Sequence, residues 1–455
     1  MKKALVLVEM VECPRNILFR YRVEDYLKAN GYATLAVSGV QTWDLSDLDL
    51  LVFCTCGFTV PIQDNQIRYI GFAVEELARQ NSQALFVVTG CLSDMNAAKI
   101  RAGHHGPIIG HRAMEDFDRL IDARVPYAEV PHRNNLTNEE KHIQVLYPPK
   151  VVEAYTKYAW LKGLAAAPIP DKVDRMRRYA KTGTVVVQRD FKFYQRVSGD
   201  HVWSLVISSG CLGKCSYCAI RKAKGRLKSR PLADLKREIS QGVAAGYSWL
   251  SIVADDSGVY GKDIGSSFSE LLDHIAVQPG NFGVMIDSLG PNDFNEHFAS
   301  LEALIRSGRE VGMILAVQHV NGRVLDSMRR PFDVALLREH LQALNDAGGN
   351  LGIEFHFIVG YPGETEDEFE DLADFCRFVL TLSGNNGWEA FIFSPQPGTP
   401  AASMPDQIPD AVRAARAERL RRLHEDWWNS RPEAAEGQTN DPKEILAGDA
   451  VSSAR

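Results

Sequence analysis

Cys211, Cys215 and Cys218 constrain this 455-residue chain more than anything else in it. They are spaced C-x3-C-x2-C, with Tyr217 before the last, directly after the apolar run 201–207. A short loop with this spacing wraps three thiolates around one cubane 4Fe–4S cluster and leaves the fourth iron without a protein ligand. An open iron is a chemical site, because it can chelate a small molecule through an amine and a carboxylate. The plainer alternative is three structural or zinc-binding cysteines. That would call for a second ligand pair of zinc-finger spacing, and none follows nearby.

The rest of the chain suits such a site. Its 45% hydrophobic and 24% charged content is that of a globular protein large enough for two or three domains. A net charge of −7 argues against a surface built wholly for polyanions. No apolar stretch approaches the ~20 residues of a membrane span, and the apolar start is too short and too soon interrupted by Glu9 and Glu12 for a signal peptide. The eight cysteines cluster by motif instead of forming a disulfide framework, which points to a reducing cytoplasm.

Residues 1–120 read as a doubly wound parallel sheet. Apolar strands near 4–8, 49–53 and 84–88 alternate with helical patterns at 16–30, 62–79 and after Ser93. Cys13, Cys56 and Cys91 each fall just beyond the C-terminal end of one of these strands, the edge at which open α/β sheets bind ligands. Three cysteines converging there suggest a second cluster, again with one open iron; ordinary buried thiols are the alternative. Cys54 competes with Cys56, because strand alternation points both to the same face. Cys376, inside a helical pattern at 368–382, reads as a core thiol.

Residues 121–200 form a linker or insertion, punctuated by prolines. Its basic group (Arg175, Arg177, Arg178, Lys181) reads as a solvated helix face, with contact to an acidic or phosphorylated substrate as the alternative. A strand-like run occupies 184–187.

From 201 to 395, strands at 201–208, 249–254, 282–288, 311–317, 352–360 and 388–394 are separated by helical patterns, for example 231–245 and 332–347. Six such units predict an open, six-stranded (βα)6 partial barrel whose chemistry lies at the C-terminal strand ends. That rim carries the cysteine loop, Asp255 and Asp256, Asp287 and Ser288, and Gln318 with His319. Thr365 and Glu368 form a capping box after strand five. One charged helix near 409–429 lies in the segment 396–430, and a polar tail fills 431–455.

These residues resemble the radical S-adenosylmethionine (SAM) enzymes, and more narrowly their methylthiotransferases, which modify tRNA adenosine or a ribosomal-protein aspartate. The resemblance covers roughly 1–120 and 201–430. It is carried by Thr55-Cys56, Val88 to Cys91, Cys218-Ala219-Ile220, Gly225-Arg226 with Ser229-Arg230-Pro231, and Asp256 through Tyr260-Gly261 to Asp263. Gln318-His319, Arg323 to Leu325, Met328 to Arg330, Phe357 to Thr365, and Ser394-Pro395 through Gly398 to Asp406 continue it. It implies two 4Fe–4S clusters. One, on Cys211, Cys215 and Cys218, binds and reductively cleaves S-adenosylmethionine. The other, on Cys13, Cys56 and Cys91, presents the sulfur to be transferred, which selects Cys56 over Cys54. Tyr217, Asp255, Asp256, Ser288, Gln318 and Glu354 are then the candidate cofactor contacts, and an external donor such as flavodoxin or ferredoxin supplies the electron. The family's C-terminal RNA-binding β-barrel has no counterpart in this sequence. Glu354 stands where the family usually has arginine, and Asp255 where it has glutamine. These departures argue against tRNA. They point to methylthiolation of a peptide or small molecule. Sulfur insertion without methyl transfer, as in natural-product biosynthesis, is the alternative. An iron–sulfur electron carrier or sensor is the non-enzymatic one.

Overall fold

The chain opens with β1 (Lys2–Val8), of which Ala4 to Val8 are wholly buried. The strands β2 (Tyr32–Thr34), β3 (Leu50–Thr55), β4 (Leu85–Gly90) and β5 (Ile108–Ile109) join it in one parallel sheet of order β2-β1-β3-β4-β5. The computed structural model describes residues 1–8, 13–34, 45–134, 185–187, 202–348, 351–383 and 386–429. Burial on both faces explains the continuous apolar runs. One face packs on the helix Pro14–Ala29 and on Tyr127 and Val130, the other on the helix Val60–Arg79. The first core therefore extends past the expected end at 120. The strand order reverses between β1 and β3, and the crevice at such a switch point opens at the C-terminal edge.

The second unit is the expected parallel barrel, with one addition. β7 (Val202–Val206), β10 (Trp249–Val253), β11 (Gly283–Leu289), β12 (Val311–Gln318), β13 (Leu351–Val359) and β14 (Gly387–Ile392) pair in parallel, in sequence order. β6 (Val185–Val187), from the strand-like run, adds antiparallel to β14 as a seventh strand. β8 (Ser208–Ser209) and β9 (Lys228–Ser229) form a separate small ribbon.

Alternation divides each barrel strand. On β13, Ile353, Phe355, Phe357 and Val359 belong to the helix-facing core, whereas Glu354, His356 and Ile358 face inward. Each fully buried aliphatic or aromatic side chain in that outer layer contributes about 1.5–3 kcal/mol by leaving water. The capping box forms as read: Thr365 accepts from the Glu368 backbone and Glu368 accepts from that of Thr365. Cys376 and Cys54 are buried in the second and first cores respectively, as ordinary thiols. The basic group at 175–181, His201 and the tail 431–455 lie outside the described residues. Among the described residues no helix is long and apolar enough to cross a membrane.

The two units meet at their strand ends. Val60 N–H donates to Ser394 Oγ (2.8 Å), Gln63 Nε2 to Gln396 Oε1 (2.6 Å) and Lys222 Nζ to the Met95 carbonyl (2.8 Å). Phe58 stacks edge-on against Phe391 at 5.2 Å between centroids.

Candidate active site

The cluster loop leaves β7 through the β8–β9 ribbon, and Gly210 makes the turn possible. Its φ is +79°, and a Cβ there would lie 2.3 Å from the Arg226 carbonyl oxygen. Gly210 N–H donates to Asp255 Oδ2 (2.8 Å). Within the loop, Gly213 N–H points at Cys211 Sγ (3.1 Å) and Ile220 N–H at Cys218 Sγ (3.4 Å). Ser216 ties the loop to the barrel: its N–H donates to the Met328 carbonyl (2.9 Å), and its hydroxyl lies 2.7 Å from Tyr361 Oη. Arg330 Nη1 reaches Cys215 Sγ (3.6 Å), and its Nε has no protein hydrogen-bond partner. Burial pushes the Cys211 thiol up, Asp256 adds to this, and burial carries Cys218 to about 11. Only a nearby positive centre makes such thiols thiolates at neutral pH.

The other three cysteines come from three strand ends. β3 and β4 pair up to Thr55 opposite Gly90, so Cys56 and Cys91 follow side by side. Cys13 occupies the N-cap of the helix Pro14–Ala29. Gly90 has φ +99°, and a Cβ there would sit 2.4 Å from the Thr55 carbonyl oxygen. Gly90→Ala is therefore expected to displace Cys91 and cost at least about 2 kcal/mol, read as a lowered urea midpoint and lost iron on reconstitution. Cys91 Sγ lies 3.5 Å from His111 Nε2, which in turn is 2.8 Å from Lys224 Nζ. Burial first, then Lys224, hold His111 well below the usual imidazole range.

One cavity of about 700 Å³ is lined by all six of these cysteines, together with Tyr217, Asp255, Asp256, Ser288 and Gln318. Cys54 does not reach it, because it ends inside β3 in the first core. Glu354 is not on its wall either. It sits behind His356, whose Nε2 donates to Glu354 Oε1 (2.8 Å). Ser288 and Gln318 hold left-handed backbones (φ 56° and 70°) where the β11–β12 and β12–β13 registers slip. Strain of this kind gathers at functional sites and turns both side chains toward the rim.

Sequence reasoning missed Arg15, His356 and Glu389. Arg15 Nη1 donates to the Ala254 carbonyl (3.0 Å), and its Nε lies 3.7 Å from Asp287 Oδ2 and 4.0 Å from Asp255 Oδ1. The signal for His356 was present: Glu354 and His356 interrupt an apolar strand at period two, which marks an inward face.

The donor sets fit iron–sulfur clusters better than a single ion. A tetrahedral zinc site brings its sulfurs to roughly 4 Å of one another. Among the described residues, the two groups of three close metal-binding side chains contain no cysteine. All six thiols of the two triads instead border the cavity.

Residues 205–376 match the Radical SAM superfamily model. That segment carries the domain of enzymes that use S-adenosylmethionine with 4Fe–4S chemistry and an electron donor. The chain is also similar to methylthiotransferases over most of its length. It is 28% identical over 430 residues to the ribosomal protein uS12 methylthiotransferase RimO of Methylococcus capsulatus, covering 91% of this chain and 80% of that one. The RimO of Chlamydia pneumoniae is 24% identical over 423 residues, covering 90% of this chain and 75% of that one. The fold is shared with the cobalamin- and [4Fe–4S]-binding radical SAM methyltransferase TsrM of Kitasatospora setae (TM-score 0.53, 16% identity, 88% of this chain and 74% of that one).

Proposed function

We propose that this enzyme converts a substrate C–H bond to C–S–CH3, acting on a peptide or small molecule with two 4Fe–4S clusters. The observation that supports this most is the single cavity bordered by both cysteine triads. In this reading Cys211, Cys215 and Cys218 hold one cluster and Cys13, Cys56 and Cys91 the other. When bound, the clusters and S-adenosylmethionine supply the radical and the sulfur that side chains cannot.

The chain's own residues bind, orient and exclude water. Tyr217, Asp255, Asp256, Ser288 and Gln318 would surround the adenosyl cofactor, and Glu354 is set back from the wall, behind His356. Asp255 fixes the loop through Gly210, and Arg330 donates toward Cys215. Phe58 and Phe391 pack edge-on across the seam between the units and give the cavity an apolar border. The all-thiol state of the eight cysteines suits a reducing cytoplasm, where a flavodoxin or ferredoxin supplies the electron. The curated relatives act on ribosomal protein uS12. Glu354, in place of the usual arginine, favours a different substrate here.

The test is incubation of reduced, reconstituted protein with S-adenosylmethionine. Methylthiolation requires both 5′-deoxyadenosine and S-adenosylhomocysteine. With the true substrate, deoxyadenosine without S-adenosylhomocysteine would favour sulfur insertion, and the absence of both products would leave only an electron carrier.

A further inference from the structure

Cys91 begins the short helix Cys91–Met95, and a second short helix, Ile220–Lys224, starts two residues after Cys218. Each triad thus has one cysteine at, or just before, the head of a helix, and the two helices lie against each other. Met95, Ala219 and Ala223 are buried between them, with Cys91 and Ile220 packed alongside. Lys222 fastens this seam through the Met95 carbonyl (2.8 Å). Lys224, the last residue of its helix, reaches further. Its Nζ lies 2.8 Å from Nε2 and 3.3 Å from Nδ1 of His111, and Nε2 lies 3.5 Å from Cys91 Sγ.

His111 is anchored to the helix that carries this sulfur. Its backbone N–H donates to Asp94 Oδ2 (2.7 Å), three residues beyond Cys91. Gly110 allows that approach, since a Cβ there would lie 2.2 Å from Asp94 Oδ1. Phe19 packs against the imidazole at 4.1 Å between centroids. Cys91 and Lys224 border the cavity, whereas His111 does not. The imidazole therefore meets the sulfur from behind, off the wall that a substrate would touch. An ammonium offers donors only, and a sulfur bound to iron only accepts. A neutral imidazole between them satisfies both, with Nδ1 accepting from Lys224 and Nε2–H donating to Cys91. Donors aimed at a cluster's sulfurs, and positive charge beside them, favour its reduced, more negative form.

We propose that His111 and Lys224 are positioning residues for the cluster on Cys13, Cys56 and Cys91, supplying an N–H donor and a cation at the Cys91 sulfur and so making that cluster easier to reduce. This rests on the reading that this triad holds a cluster. Lys224 belongs to the barrel unit and Cys91 to the first unit. The cluster of one unit is therefore tuned by a side chain of the other, six residues beyond the last cysteine of the C-x3-C-x2-C loop.

The test is a redox titration of the reconstituted full-length protein, followed by electron paramagnetic resonance. Cys56→Ala identifies the step that belongs to the auxiliary cluster by removing it. Lys224→Met and His111→Leu are each expected to make that reduction at least about tenfold less favourable, about 59 mV for one electron, and to leave the other cluster's step in place. Lys224→Arg keeps the cation and should keep most of the potential. In the His111→Leu background Lys224→Met should add little, because the two act through one contact. Lys222→Met removes the neighbouring seam contact without touching His111, so it should lower the urea midpoint and leave the potential in place. An unchanged potential in both Lys224→Met and His111→Leu overturns the proposal, as does an equal shift in Lys222→Met. Loss of the auxiliary iron in Lys224→Met, His111→Leu and Lys224→Arg alike overturns it too, in favour of a purely structural contact. If Cys56→Ala loses no iron, the two-cluster reading falls and this inference with it. If Cys56→Ala loses half the iron and the potential does not move, only the tuning falls.

Discussion

Cys56→Ala is expected to remove about half the iron of the reconstituted protein, because on the proposed assignment one of two four-iron clusters loses a ligand. Cys54→Ala, two residues away, is expected to remove none. The two thiols share a strand face by alternation, yet β3 ends between them. Cys54 is packed among Val6, Val8, Val52 and Val87, and burial raises its pKa steeply. Its loss leaves a small cavity costing on the order of 1 kcal/mol, visible only as a lower urea midpoint. Cys56 lies past Thr55, with its N–H on Gln66 Oε1 (3.3 Å), facing the cavity. Iron per chain decides the matter. Equal iron in the two variants would refute the assignment of the auxiliary triad. Cys215→Ala extends the test: it should also lose about half the iron, together with all deoxyadenosine.

That contrast also shows what the sequence could reveal. Strand ends and the cysteines beyond them were legible because buried parallel strands leave unbroken apolar runs, and because C-x3-C-x2-C is a local pattern. Register is not local. The pairing of Val185–Val187 with β14 joins segments about two hundred residues apart. His356 meets Glu389 only because β13 and β14 align at that step. Asp287 was visible as a strand-end acid, but its distance from Arg15 depends on how the two units dock. The left-handed backbones of Ser288 and Gln318 had no signature at all, since neither is a glycine. Glu354 is a candidate cofactor contact by resemblance; two residues along β13 from His356, it lies behind that imidazole and off the cavity wall.

Arg416→Ala is expected to destabilise the protein by about 3–5 kcal/mol, the cost of stranding a buried charge partner. The helix Asp410–Asn429 covers β13, β14 and β6, and Arg416 is its buried charge, 5% exposed. Its Nη1 lies 3.0 Å from Oε1 of Glu364, which is itself 2% exposed. The other carboxylate oxygen accepts from the N–H groups of Gly360 (2.6 Å) and Tyr361 (3.0 Å), holding the left-handed turn at Gly360 (φ +72°). Tyr361 Oη in turn reaches Ser216 in the cluster loop, so a helix remote from the cysteines helps to position them. Burial raises Glu364 from 4.5 to about 7, with Arg416 opposing it. A folded-state pKa above the unfolded one stabilises at low pH, and that contribution fades as pH rises through about 7. Without Arg416 the carboxyl must stay protonated to higher pH still. The deficit relative to wild type should therefore widen above pH 7, by up to about 1.4 kcal/mol per pH unit. Replacing both partners, Glu364→Gln with Arg416→Met, keeps an acceptor for Gly360 and Tyr361 and removes both charges, and should recover most of the loss. Urea midpoints at pH 6 and 8.5 check this. A deficit independent of pH, or a double variant no more stable than Arg416→Ala, would show that the pair does not hold this turn.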